Sequence, residues 1–239
     1  MKFLELTFDE PSANLACDEA LLEMMEADAS REACLRVWQA KKYFVVLGHS
    51  NRRKSEVRVA ACNEDRIPIV RRISGGGTVV QGPGCLNYSL FLKNDGRAAK
   101  NIVDTFKYVL ERHRRVVEGL CGVKARLAGI SDLAVDGLKF SGNAQYRKAG
   151  FVLVHGTFLL NFDLRLIERC LLVPAKQPAY REGRSHLQFV TNLHVDPKRL
   201  CDRLKKEWRA REALRDVPIA RIDELIRDRY GRADWSEKF

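Results

Sequence analysis

Residues 133–162 read LAVDGLKFSGNAQYRKAGFVLVHGTFLLNF, and their punctuation predicts a β-meander. Asp136-Gly137 is a two-residue hairpin signal, because a type I′ turn needs two residues that tolerate positive φ. Lys148-Ala149-Gly150 marks the next turn. Between them, period-2 alternation puts Lys139, Ser141, Asn143 and Gln145 on one face and Leu138, Phe140, Gly142 and Ala144 on the other. The second face suits a core; the first is a solvated surface or the wall of a site. The strand that follows is apolar on both faces, which predicts a central position in a sheet. His155 and Gly156 interrupt it, and a glycine there suggests close approach of a ligand or another backbone. His155 alone reads as a core histidine; beside the polar face of its hairpin partner it reads as part of a site wall.

Upstream, residues 71–90 read RRISGGGTVVQGPGCLNYSL. Three consecutive glycines weaken a strand, so Gly75, Gly76 and Gly77 form a loop. Such a loop is equally a tight turn or a nest of backbone N–H groups for an anion. No Gly-Lys-Ser/Thr follows, and no helix opens with dinucleotide-type glycine spacing, so neither nucleotide fingerprint applies. Arg71 and Arg72 favour an anion, since guanidinium pairs bidentately with phosphate or carboxylate. Alternation lets only one of the two face the loop's concave side.

The remaining pattern interleaves strands and helices. KFLELTF alternates like a strand. A helix follows in DEPSANLACDEALLEMMEADAS, with Leu15, Ala16, Leu21, Leu22 and Met25 near helical spacing. CLRVWQ and YFVVLGHSN are strands, and SEVRVAACNEDR is a short helix capped by Ser55. Residues 99–120 are the longest amphipathic helix, with Ile102, Val103, Phe106, Val109 and Leu110 as its stripe. KARLAG is a strand, and helices are expected at 164–171, 196–214 and 218–230. The sum is one mixed α/β (α+β) domain over residues 1–239, its sheet largely antiparallel and flanked by helices.

The net charge of +11 favours an acidic partner. Its densest runs, including ERHRR at 111–115, alternate with apolar residues and read as solvated helix faces. The seven cysteines are widely spaced with no Cys/His ligand cluster, which argues against zinc and for reduced thiols in the cytoplasm. Neither a signal peptide nor a membrane-spanning run is expected.

Taken in order, RRISGGG, SDLAVDGLKFSGNAQ and HGTFLLNF closely resemble the biotin/lipoate A/B protein ligase family and, within it, its lipoate–protein ligase A branch. ANLACDEALL and VVLGHSN resemble that family's first helix and acyl-pocket strand. The resemblance covers residues 1–195 and implies a class II synthetase-like catalytic domain without the C-terminal accessory domain of longer ligases. It also implies that ATP, with Mg²⁺, activates lipoic acid (or octanoate) to acyl-AMP, which passes to a lysine of an acidic acceptor lipoyl domain. On this pattern Lys139 is catalytic and contacts the α-phosphate and acyl carbonyl. Arg72, Ser74, Gly75, Gly76, Gly77, His49, Ser141, Gly142, His155 and Gly156 bind the acyl-adenylate. Thr78, Val79, Val80 and Asp132 meet the nucleotide, and Asp132 also meets the metal. Two positions depart from the pattern: Ser131 stands where asparagine is familiar, and Gln81 where histidine is. The missing accessory domain leaves two options, a chain that works alone or one completed by a small second subunit.

Two rivals stand beside the ligase. An octanoyl- or lipoyl-transferase would need a cysteine thioester. Residues 122–138 contain no cysteine, and ERCLLVP around Cys170 lacks the transferase's Pro-Cys-Gly context; Cys170 reads as a small buried hydrophobe, Cys85 as strand packing. A basic nucleic-acid-binding protein would need a recognition motif or an aromatic stacking array, and neither is present.

Overall fold

The computed structural model describes residues 1–96 and 101–239. In chain order the elements are β1 (Lys2–Glu5), α1 (Pro11–Glu26), β2 (Cys34–Trp38), β3 (Phe44–Leu47), α2 (Arg53–Glu56), α3 (Val59–Glu64), β4 (Ile69–Arg71), β5 (Val79–Gln81) and β6 (Cys85–Lys93). Then come α4 (Ile102–Cys121), β7 (Ala125–Ala128), β8 (Asp132–Val135), β9 (Leu138–Arg147), β10 (Phe151–Leu159), α5 (Arg165–Cys170), α6 (Pro197–Glu207), β11 (Glu212–Ala213), α7 (Ile219–Leu225) and α8 (Ala233–Ser236). The main sheet has the order β11-β1-β2-β6-β10-β9-β8-β7, antiparallel except where β1 pairs with β2 and β11. A smaller sheet has the order β4-β3-β5.

The expected meander is present as β8, β9 and β10, and Asp136 and Gly137 both take positive φ in its first turn. Alternation along β6 and β10 sorts side chains to two cores. Leu86, Tyr88, Leu90, Val152, Val154 and Phe158 pack under α4 and α6. Phe91, Phe151 and Leu153 pack under α1 and α7. Further along the same face of β10, His155 and Thr157 line a cavity.

Each flanking helix has its own local cause. Asn101 caps α4 by accepting from the Asp104 N–H, and Gly122 ends it in the left-handed conformation. Its buried stripe is Phe106, Val109, Leu110, His113, Val116 and Val117. The expected stripe began one turn too early: Ile102 and Val103 are exposed. Residues 99 and 100, where that helix was expected to begin, lie outside the described residues. α1 is buried on most sides, and it carries a buried ion pair in which Arg36 donates to Asp18 Oδ1 at 2.6 Å. Breaking such a pair from one side costs about 3–5 kcal/mol.

Two element boundaries differ from expectation. The helix expected across 55–66 is split, because Val57 is extended and bridges Leu171; Ser55 sits inside α2 and caps nothing. The helix expected at 196–214 ends at Glu207, since the chain turns at Arg209 and adds Glu212–Ala213 to the edge of the main sheet beside β1.

Candidate active site

A cavity of about 550 Å³ lies between the main sheet and the glycine loop. Its sheet side presents Lys139, Gly142, Ala144, His155 and Thr157, and its loop side presents Arg72, Gly76, Gly77, Thr78, Val79 and Val80. Leu15, Trp38 and Val46 wall one end.

Lys139 reaches this cavity through a β-bulge. Leu133 pairs with Ser141, but Ala134 pairs with Lys139, so Phe140 is an extra residue on β9. An extra residue reverses the alternation. Lys139 therefore shares a face with Gly142 and Ala144, not with Ser141, Asn143 and Gln145 as strict alternation predicts. Phe140 turns into the core under α4. Asn143 turns to the same side, where Tyr88 donates to its Oδ1 at 2.7 Å and its own amide donates to the Ser131 carbonyl at 2.7 Å. Ser141 is buried beside it.

The Lys139 ammonium lies 2.8 Å from Asp132 Oδ1, and the Tyr180 hydroxyl donates to Asp132 Oδ2 at 2.7 Å. The Lys139 backbone is pinned as well: its N–H donates to Phe189 and its carbonyl accepts from Thr191. Gly142 is the seat for this ammonium, since a Cβ there would come within 2.7 Å of Lys139 Nζ.

The two loop arginines divide as alternation requires. Arg71 is fully buried and donates to the carbonyls of Gly48, His49, Asn51, Trp235 and Ser236, tying the C-terminal segment to the β3 turn. Arg72 faces the loop. Its guanidinium donates to Ser74 Oγ and to the carbonyls of Gly75 and Gly77. Because a trans peptide points its N–H opposite its C=O, the N–H groups of Gly76 and Thr78 point away from that guanidinium. Gly76 needs its glycine, with φ +90°, whereas a Cβ at Gly75 or Gly77 meets nothing. Burial lowers the Arg72 pKa only to about 10, so the residue stays a cation at neutral pH.

Ser74 is buried, and its hydroxyl lies 2.6 Å from His155 Nε2. Burial pushes the His155 pKa down to about 4, so the ring is neutral at pH 7. Gly156 lines the cavity next to Asn143, whose side chain fills the place of a Cβ. Thr78 donates to Glu56 Oε2 at 2.5 Å. Val79 and Val80 lie on β5, whose inner edge pairs with β3 and whose outer edge carries no strand among the described residues. His49 does not join the site: its ring packs against Trp235 and Phe239, outside the cavity lining.

Several residues at the site left no sequence signal. Arg181, which lines the cavity, and Tyr180, which reaches it through Asp132, come from the segment PAYREGR, which has no period to read. Arg181 is buried, stacks over Phe189 at 4.8 Å, and keeps one guanidinium nitrogen without a protein partner. Glu56, Asn87 and Thr157 also line the cavity.

None of the seven cysteines lines it. Cys85 is fully buried, and burial pushes its thiol up to about 12. Cys170 is also fully buried; its contact with Cys62 and its burial push its thiol up. All seven are free thiols. Among the described residues there is no cluster of three or more metal-ligating side chains, and no helix long and apolar enough to cross a membrane.

Residues 10–207 match the family model of the lipoyl protein ligase A/B catalytic domain. The chain is 29% identical to lipoate–protein ligase 1 of Staphylococcus aureus over 99% of its length and 73% of that protein's. It is 31% identical to lipoate–protein ligase LplJ of Bacillus subtilis over 95% of its length and 70% of that protein's. Octanoyltransferases named LipM are also among its relatives. In fold it resembles a bi-partite lipoate protein ligase from Thermoplasma acidophilum, solved in work on that ligase and its E2 lipoyl domain. The TM-score is 0.84 at 22% identity, covering 99% of this chain and 96% of that one. A lipoate–protein ligase A bound with ATP gives a TM-score of 0.82 at 23% identity, covering 99% and 98%.

Proposed function

Since the chain belongs to the lipoyl protein ligase A/B catalytic-domain family, we propose that it is a lipoate–protein ligase that activates lipoate with ATP and passes the acyl group to a lysine of an acceptor lipoyl domain. The observation that carries this reading is Lys139 held in a cavity whose lining contains no cysteine. A thioester route needs an accessible thiolate. Cys170, at one transferase position, is fully buried with its thiol pKa pushed up, and Cys121, the thiol nearest in sequence to the other, is half-buried with its pKa also pushed up by burial.

The chemistry follows from charge. A carboxylate oxygen attacks the α-phosphorus of ATP, and the bond to the pyrophosphate oxygen breaks, leaving acyl-AMP. Two unit anions 4 Å apart repel by about 4 kcal/mol at an effective dielectric of 20. The Lys139 ammonium offsets this repulsion and follows the charge as it moves to the bridging oxygens. An acceptor lysine amine then attacks the acyl carbon and AMP leaves. The Gly76 and Thr78 N–H groups and the open edge of β5 are the backbone donors and acceptors for phosphate and adenine. The carboxylate lies at Lys139 and the acyl tail runs towards Leu15, Trp38 and Val46.

A single carboxylate, Asp132, suits Mg²⁺, which keeps most of its ligands as water and phosphate oxygen. Asp132 would hold the ion, and the ion's charge would offset that of the phosphates. Tyr180 and Lys139 orient that carboxylate meanwhile. Seven free thiols fit a reducing, cytoplasmic setting.

The test is ATP–pyrophosphate exchange with lipoate, octanoate and biotin. Lipoate- or octanoate-dependent exchange supports the ligase, and exchange with biotin alone sinks it. Acyl transfer from an acyl-carrier thioester without ATP would instead revive the transferase. Running the assay with and without a small candidate second chain, and finding exchange only in its presence, would support an accessory subunit.

A further inference from the structure

Two basic runs of the sequence, ERHRR at 111–115 and KRLCDRLKKEWRAR at 198–211, meet in space. α4 and α6 pack over one core and, beside Leu92 on β6, enclose a groove of about 1090 Å³. It shares no lining residue with the active-site cavity. Six lysine and arginine side chains line it against three carboxylates. Glu32 is held by the Met1 amino group and Lys2, and Glu207 by Arg115 at 3.2 Å. Arg112, Arg203, Lys206 and Arg209 have no carboxylate partner among the described residues. Arg112–Arg115 on α4 and Arg203–Lys206 on α6 are also i,i+3 neighbours, like-charge pairs that weaken a helix. Arg112 is fixed by aromatic rings instead of a counter-ion: its guanidinium lies over Tyr108 at 4.3 Å and over Trp208 at 5.4 Å. Gly119, two turns further along α4, costs helix stability but leaves the groove open. A Cβ there would lie 4.0 Å from Arg203 Nη2.

The chemistry of the occupant follows from the groups on offer. Along α4 and α6 the backbone is bonded within the helices, so the groove presents side chains, and its uncompensated ones are N–H donors. A peptide would bring a backbone donor for every acceptor, and Glu32 and Glu207 are already engaged. An oligophosphate brings only acceptors, and the guanidinium fork matches its oxygens. A nucleic-acid strand needs open aromatic faces for its bases. Here Arg112 covers the Tyr108 ring, and Trp208 is buried. The groove's volume is close to the upper bound of about 1,000 Å³ for small-molecule sites. We propose that the α4–α6 groove is a binding site for a small oligophosphate, either the triphosphate of a nucleotide or a free polyphosphate chain, separate from the active site. This site does not depend on the ligase reading.

The test is calorimetric titration of the whole chain with inorganic tripolyphosphate, and in parallel with ATP. Binding at about 10–100 µM is expected, the affinity of some four charge-assisted hydrogen bonds. Arg203→Gln combined with Lys206→Gln, at exposed positions, should weaken tripolyphosphate binding at least tenfold. Gly119→Leu, also exposed, fills the groove while keeping every charge and should do the same. Lys139→Ala should change it less than twofold. ATP binding with the same dependence on the groove variants identifies a nucleotide as the source, and tripolyphosphate binding there without ATP identifies free polyphosphate. No binding at millimolar tripolyphosphate overturns the proposal. So does wild-type affinity in Gly119→Leu, which would reduce the groove to diffuse surface charge. Binding lost in Lys139→Ala but kept in the groove variants would place the phosphates in the cavity and also overturn it. Hexaglutamate or a short single-stranded RNA binding tenfold tighter than tripolyphosphate would replace the small ligand with a macromolecule.

Discussion

Lys139 spends one of its three N–H donors on Asp132 Oδ1, which leaves two for ligand oxygens. Removing it takes away the cation nearest the expected meeting point of carboxylate and α-phosphate. Asp132 keeps its Tyr180 hydrogen bond, so the fold loses little. Lys139→Ala should lower pyrophosphate exchange roughly a hundredfold or more with the urea midpoint nearly unchanged; exchange at the wild-type rate would remove Lys139 from the mechanism. Cys170 makes the opposite case. It packs with Cys62, Leu171 and Phe189 under the small sheet. Cys170→Ala should cost about 1 kcal/mol of stability, a packing loss, and leave acyl transfer within twofold of wild type. Loss of transfer in a folded protein would restore a thioester mechanism.

β9 shows how one inserted residue relocates a site. The extra Phe140 brings Lys139 onto the cavity face, and Gly142 leaves the space its ammonium occupies. Gly142→Ala should therefore act through Lys139. A methyl within 2.7 Å of Nζ displaces the flexible end of a side chain, not the backbone. Activity should fall at least tenfold while thermal stability changes by only a few degrees, and normal kinetics in that variant would disprove the seat. α4 gives a pH prediction. His113 is fully buried, Trp208 Nε1 donates to its Nε2 at 2.9 Å, and burial lowers its pKa to about 3. The folded pKa lies below the unfolded 6.5, so only the unfolded chain takes up a proton as pH drops through that range. Stability from this group is complete above about pH 6.5 and is lost as pH falls towards 3, by about 1.4 kcal/mol per unit. Urea midpoints at pH 7.5, 6.0 and 5.0 should fall accordingly, and His113→Phe should flatten the slope. His155 adds to it in the same direction.

Charge acts on the molecule as a whole. Lys93, Arg112, Arg115, Arg203, Lys206 and Arg209 line a groove on the α4–α6 side, away from the cavity, together with Glu32, Asp95 and Glu207, so this face is net positive and part of the +11 acts from a distance. At physiological ionic strength the Debye length is about 8 Å, so such steering is screened by salt. With an acidic acceptor domain, kcat/KM for transfer should drop about fivefold between 20 and 200 mM salt, a range over which kT-level potentials are progressively screened. Acyl-AMP formation should change less than twofold, and equal salt sensitivity of both steps would refute docking by charge. How much of this was legible follows from range. The Asp136-Gly137 turn, the strand periods and the glycine loop are local signals, and the sequence alone determined them because turn and period preferences act over a few residues. The order of strands, the bulge that turns Lys139 inward, the exclusion of His49 and the meeting of Tyr180 with Asp132 were decided only by the tertiary structure. They depend on register between strands distant in sequence, and one extra residue in a ladder reverses which face a side chain occupies.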